Sequence, residues 1–129
     1  MKGVLFLCIH NSGRSQMAAG FMRHLGAGRV TVFSAGSEPA HAINPSAVAV
    51  MQEVGIDIAS SQPHLWTMEM LEVVDVVVTM GCGDACPFLP GKKYVDWPLE
   101  DPEGQGVVNV RPIRDEIKKL VEDLLAQIA

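Results

Sequence analysis

Gly3-Val4-Leu5-Phe6-Leu7-Cys8-Ile9-His10-Asn11-Ser12-Gly13-Arg14-Ser15 is a short apolar run that delivers a thiol into a loop of small and polar residues. Val4 to Ile9 reads as a buried strand, and a helical pattern begins near Arg14. Five residues separate Cys8 from Arg14. That length lets the loop curl so that successive backbone N–H groups, Ile9, His10, Asn11, Ser12, Gly13 and Ser15 included, face a common centre. The Arg14 guanidinium closes the ring with a two-pronged grip suited to a tetrahedral oxyanion. The same donors should hold Cys8 as a thiolate near neutral pH. Ser15 can donate its hydroxyl to the sulfur, and Asn11, tolerant of unusual backbone angles, can pin the loop through its amide. A lone cysteine at a strand end is ordinarily a small buried hydrophobe. Strand, polar loop, arginine and helix in that order point instead to a nucleophile at the floor of an anion pocket.

Working outward, Met17, Phe21 and Leu25 recur at helical spacing until Gly26 and Gly28. Val30 to Phe33 is a second strand, ending at Ser34, Ala35 and Gly36. Asn44 before Pro45 is a helix start, with Val48, Met51 and Val54 as its apolar face. Ile56 to Ile58 is a short extended piece, and Thr67 caps a helix through Met70 and Leu71. Asp75 to Met80 is nearly all β-branched, as in a parallel strand buried on both faces. Tyr94 to Trp97 is a weaker strand. Ile113, Ile117, Leu120, Val121, Leu124 and Leu125 define a long C-terminal amphipathic helix. This alternation predicts an α/β fold: one domain, residues 1–129, with a doubly wound four-stranded parallel sheet flanked by helices and joined by right-handed crossovers. The site then lies beyond the carboxyl ends of the strands, where Cys8, Ser34, Cys82 and the segment after Trp97 fall.

Composition narrows the partners. The chain has 129 residues, 48% of them apolar and 19% charged, with a net charge of −5. That balance disfavours nonspecific nucleic-acid binding, so attraction for an anion must be local. Val4 to Ile9 is too short for a signal-peptide core and Val73 to Met80 far too short to span a bilayer, so a cytoplasmic, membrane-free protein is expected. Three cysteines, an odd number in such a chain, argue for redox or nucleophilic chemistry over a disulfide framework. Structural zinc is the rival reading, but Cys82 and Cys86 have no second paired cluster, and no metal is expected.

Cys82 and Cys86 lie in the glycine- and proline-bounded stretch Gly81 to Pro87. One helical turn between them would place the Cα atoms about 6 Å apart, within disulfide range. Asp101, held by Pro102 beside a strand end, could protonate an oxyanion's departing oxygen. A solvated acidic loop is the alternative, since Glu100 and Glu103 flank it.

With these residues in place, the chain resembles the thiol-dependent, thioredoxin-coupled arsenate reductases built on the low-molecular-weight tyrosine phosphatase fold. The resemblance rests on the Cys8–Arg14 loop, Ser15-Gln16-Met17-Ala18, Ser34-Ala35-Gly36, the strand leading to Cys82, Asp101-Pro102 and the terminal helix. Gln16 follows the Arg-Ser pair where phosphatases of this fold typically have proline, and Glu103, Gly104 and Gln105 follow the Asp-Pro where they tend to have tyrosines. The resemblance implies that Cys8 attacks arsenate, Asp101 protonates the leaving oxygen, Cys82 attacks Cys8 to release arsenite, and Cys86 attacks Cys82. It implies no bound cofactor, with thioredoxin or a small thiol such as glutathione or mycothiol as external reductant. A monomer is expected. Some members hold a potassium ion through a glutamate; the matching position here is Ala19, so that ion is not expected. Phosphatase activity, or an oxyanion-binding or redox-sensing module without turnover, are the competing functions.

Overall fold

The computed structural model describes residues 2–82 and 86–128. Strands β1 (Lys2–Cys8), β2 (Val30–Gly36), β3 (Val76–Thr79) and β4 (Lys93–Asp96) form one parallel sheet in the order β2-β1-β3-β4. Helices α1 (Arg14–Leu25), α2 (Pro45–Glu53), α3 (Met68–Val73) and α4 (Val107–Ile128) connect and cover it. Among the described residues no helix is long and apolar enough to cross a membrane.

Strand alternation divides the central strands between two cores. Val4, Phe6 and Cys8 of β1, with Val76 and Val78 of β3, pack against α1, α2 and α4. Leu5, Leu7 and Val77 point the other way, onto Leu71 of α3, Val74 and Cys82. The continuous apolar runs of β1 and β3 therefore follow from burial on both faces. Phe6 is fully buried and its ring lies 5.8 Å from that of Trp97. Burying such a side chain contributes about 2–3 kcal/mol. Asp75, the one charge in the third run, sits just before β3 and accepts a 2.9 Å hydrogen bond from the Gly3 backbone N–H. That bond holds its carboxyl below the usual range.

Two helix starts follow the expected chemistry. The Asn44 side chain accepts from the N–H groups of Ser46 and Ala47 with Pro45 at the first helical position, and the Thr67 hydroxyl accepts from Met70 N–H. Elsewhere the boundaries move. β2 continues past Phe33 to Gly36, because the β1 register pairs Phe6, Leu7 and Cys8 with Ser34, Ala35 and Gly36. Residues 56–58 join no strand; Ile56 and Ile58 instead plug the larger core. Helix α4 begins upstream of the predicted run and contains Pro112. Its first turn is anchored at the Gly106 carbonyl, which accepts from Asn109 and Val110. The carbonyl deprived of a partner by Pro112 belongs to Val108, whose residue is 75% exposed and can be hydrated.

An ion-pair cluster ties α2 to α4. Glu53 accepts from Arg111 at 2.7 Å and from Arg114 at 2.8 Å, and Arg114 also donates to the Val50 carbonyl. Hydrogen bonds from the two arginines, Arg111 first, pull the Glu53 carboxyl from 4.5 to about 2. A depressed folded-state pKa stabilises above the unfolded value and is lost as pH falls through the folded one. Glu53→Gln is therefore expected to lower the melting temperature at pH 7 while leaving it little changed near pH 2. Thermal unfolding of both proteins across that range measures the difference.

Candidate active site

β1 lies between β2 and β3, so the chain turns to one side after β1 and to the other after β2. This reversal opens a crevice beyond the carboxyl end of β1, the place where open α/β sheets bind ligands. Cys8 is the last residue of β1, and the loop that follows it occupies the crevice.

The outer rim of that loop is tied down carbonyl by carbonyl. Ile9 C=O accepts from Glu38 N–H, His10 C=O from Ala40 N–H, Ser12 C=O from Asn44 N–H and Gly13 C=O from Met17 N–H, at 2.8–3.0 Å. Asn11 C=O accepts from the Gln16 side-chain amide at 3.1 Å. In a planar trans peptide, N–H points opposite to the preceding C=O. Carbonyls held outward therefore turn the N–H groups of His10, Asn11, Ser12 and Gly13 inward. The first N–H groups of α1, which lack helical partners, extend the same cradle.

Two donors meet the Cys8 sulfur, which is free and 3% exposed. Asn11 N–H lies 3.2 Å from Sγ and the Ser15 hydroxyl 2.9 Å. Asn11 Nδ2 donates to Ser15 Oγ at 2.7 Å, which leaves the hydroxyl proton to the sulfur. The amide orientation is fixed by the His64 backbone N–H, which donates to Asn11 Oδ1 at 2.9 Å. Asn11 is the one described non-glycine residue with positive φ, 50°, a conformation asparagine tolerates best.

Arg14 is held flat against the loop from outside. Its Nη1 donates to the Leu99 carbonyl at 3.3 Å and its Nη2 is 3.8 Å from Asp101 Oδ2, with the side chain 7% exposed and that of Asp101 51% exposed. Gly81, at φ +83°, makes room for it: a Cβ there would stand 2.7 Å from Nη1. Trp97, packed on Phe6, anchors the segment that brings Leu99 and Asp101 over the crevice. Pro102 rests so close to Gly13 that a Cβ on Gly13 would meet its ring at 2.7 Å. Cys8, His10, Ser12, Arg14, Asp101 and Glu103 all line one small cavity. At its mouth, His10 Nδ1 is 3.0 Å from the Glu38 carbonyl and Nε2 is 3.7 Å from the Glu103 carboxylate.

The other two thiols lie elsewhere. Cys82 and Cys86 are joined by a disulfide, with Cα atoms 5.4 Å apart. Cys82 is buried in the smaller core, on the sheet face opposite Cys8, while Cys86 is half-buried at its edge. The helical turn suggested between them falls on residues 83–85, outside the described residues. The structure thus gathers Cys8, Arg14 and Asp101 around one cavity and Cys82 with Cys86 around a second centre. No cluster of three or more metal-ligating side chains occurs among the described residues. Three contributors escaped sequence reading: the Leu99 carbonyl, the Gly81 vacancy and the His64 N–H. Only Gly81, a glycine straight after a strand, left any signal.

The chain is similar to known proteins along its whole length. A family profile described as low molecular weight phosphotyrosine protein phosphatase matches residues 3–129. A glutaredoxin arsenate reductase from Synechocystis is 42% identical over 132 residues, covering all of both chains. Among solved structures, a thioredoxin-dependent arsenate reductase from Corynebacterium glutamicum superposes with a TM-score of 0.87 at 39% identity over 99% of this chain; the chain spans 62% of that protein's length. An arsenate reductase in a phosphate-binding state gives 0.88 at 40% identity, covering both chains completely. The chain therefore belongs to the low molecular weight phosphotyrosine protein phosphatase family and, within it, to the arsenate reductases.

Proposed function

We propose that this protein reduces arsenate to arsenite through Cys8, Cys82 and Cys86, acting as a cytoplasmic, monomeric, single-domain enzyme with no bound cofactor. The observation that carries the reading is the pairing state: Cys8 is free in the anion loop while Cys82 and Cys86 are disulfide-bonded. That is the state a three-thiol relay reaches after arsenite has left and Cys86 has displaced Cys8 from Cys82.

In this scheme the inward N–H groups and Arg14 bind arsenate, and the Cys8 thiolate attacks arsenic(V). One As–O bond breaks as the S–As bond forms, and Asp101 supplies the proton that lets the oxygen leave as water. The Cys82 thiolate then attacks Cys8 Sγ. The S–As bond breaks with its electron pair going to arsenic, which departs as arsenite, and a Cys8–Cys82 disulfide remains. Attack by Cys86 on Cys82 frees Cys8. An external dithiol, for which thioredoxin is our choice, supplies two electrons to reopen Cys82–Cys86. Cys82 must leave the smaller core to reach Cys8, so Cys82 itself changes place during the cycle.

Hydrolysis of the Cys8 adduct by water would be phosphatase chemistry, and both activities share the first half-reaction. Only reduction requires further thiols. With thioredoxin, thioredoxin reductase and NADPH, Cys82→Ser and Cys86→Ser are expected to lose multiple turnover on arsenate. Both should keep the intact protein's hydrolysis of p-nitrophenyl phosphate. Normal thioredoxin-supported turnover by both variants refutes the relay. Replacing thioredoxin by glutaredoxin with glutathione, or by mycothiol, identifies the reductant.

A further inference from the structure

Behind the anion loop, between α1, the edge strand β2 and the segment 60–64, lies a cleft of about 400 Å³. That volume falls within the range of small-molecule sites and exceeds what one inorganic oxyanion fills. Arg23 and His64 line it together with the hydroxyls of Ser60 and Ser61, and Phe33 and Met70 form its apolar wall. Its lining contains no carboxylate, in a chain whose net charge is −5. No carboxylate lies within ion-pair distance of Arg23 among the described residues, and its hydrogen bond is a long one, 3.5 Å, to the Val32 carbonyl. Arg23 is exposed, yet the desolvation its neighbours impose, with no counter-ion to offset it, pulls its guanidinium below the ordinary range.

A forked cation, neighbouring hydroxyls and an apolar wall are what a carboxylate on a compact apolar body requires. The cleft also communicates with the anion loop. Gln16 lies two helical turns from Arg23 on α1 and lines the same cleft. Its buried amide donates to the Asn11 carbonyl, to Asn11 Oδ1 and to the Gln62 carbonyl, and the His64 N–H donates to the same Oδ1. Displacing residues 62–64 therefore bears directly on Asn11, whose backbone and amide hold the Cys8 sulfur and Ser15.

We propose that this cleft is a second binding site, for a small organic carboxylate held by Arg23, and that its occupancy alters anion affinity at the Cys8 loop through Gln16 and Asn11. The proposal is independent of which reaction Cys8 performs. Benzoate is the probe, titrated into the full-length protein and followed by amide NMR shifts. Saturable shifts are expected at Arg23, Ser61, His64 and Met70. Arg23→Gln should weaken binding by about tenfold or more, the worth of a charge-assisted paired contact. Arg23 lies on the surface of α1, so this variant should stay folded and keep the benzoate-free p-nitrophenyl phosphate activity.

Saturating benzoate should also change the dissociation constant for inorganic phosphate several-fold, with phosphate changing that of benzoate by the same factor. Shifts confined to residues 10–15, or a titration identical in Arg23→Gln, overturn the site. An unchanged phosphate affinity with the cleft occupied overturns the coupling.

Discussion

Cys8→Ser is expected to abolish arsenate reduction and ester hydrolysis together, by about four orders of magnitude or more, as losses of a nucleophile in an assembled site do. The hydroxyl is nearly the size of the thiol, and the donors around the sulfur remain for it to bond. The fold should therefore survive, with a melting temperature close to that of the parent. What disappears is the sulfur nucleophile, because a hydroxyl at this place is a far weaker one. Binding should persist, since the inward N–H groups and Arg14 are untouched. Phosphate affinity measured by calorimetry is expected to stay within a few-fold of the parent value. Sustained turnover of either substrate by this variant would place the chemistry elsewhere. The contrast with Cys82→Ser, which should lose reduction alone, separates the first chemical step from the resolution of its product.

Asn11→Ala should be the most damaging change in the loop that leaves the three thiols in place. Asn11 is fully buried, and its removal strands the His64 N–H, part of the Gln16 amide bonding and the Ser15 hydroxyl. Each buried polar group left without a partner costs about 1–3 kcal/mol. Placing alanine at φ 50° adds about 1 kcal/mol. A total loss of about 3 kcal/mol or more is expected from urea unfolding, a large share of the 5–15 kcal/mol typical of a domain. Asn11→Asp tests the functional part separately. The carboxylate still accepts from His64 and Gln16, so most stability should remain. It no longer donates to Ser15 but accepts from it, turning the hydroxyl proton away from Cys8. Activity should then fall much further than stability. Equal losses in both variants would mean that Asn11 serves the backbone only.

The readable parts of this molecule are those fixed by local chemistry. Strands β1 and β3 announce themselves by apolar runs, since Val4 to Cys8 and Val76 to Val78 are buried on both faces of the sheet. Asn44-Pro45 and Thr67 mark helix starts because an orphan N–H needs a nearby acceptor. β2 was harder to bound. Ser34 to Gly36 are strand only because β1 extends alongside, and propensity does not register a neighbour. The start of α4 was hidden by Pro112, whose cost vanishes when the freed carbonyl sits in an exposed turn.

By itself the sequence determined the order of strands and helices, the spacing that brings Arg14 back over Cys8, and the presence of two further thiols four residues apart. These depend on dihedral preferences and side-chain chemistry within a few residues. Tertiary structure alone decided that the carbonyls of Ile9, His10 and Ser12 are held outward by distant donors, that Leu99 and Gly81 position Arg14, and that Cys8 and Cys82 occupy opposite faces of the sheet. Each of these is a contact between segments brought together only by the shared core, so no local window of sequence contains it.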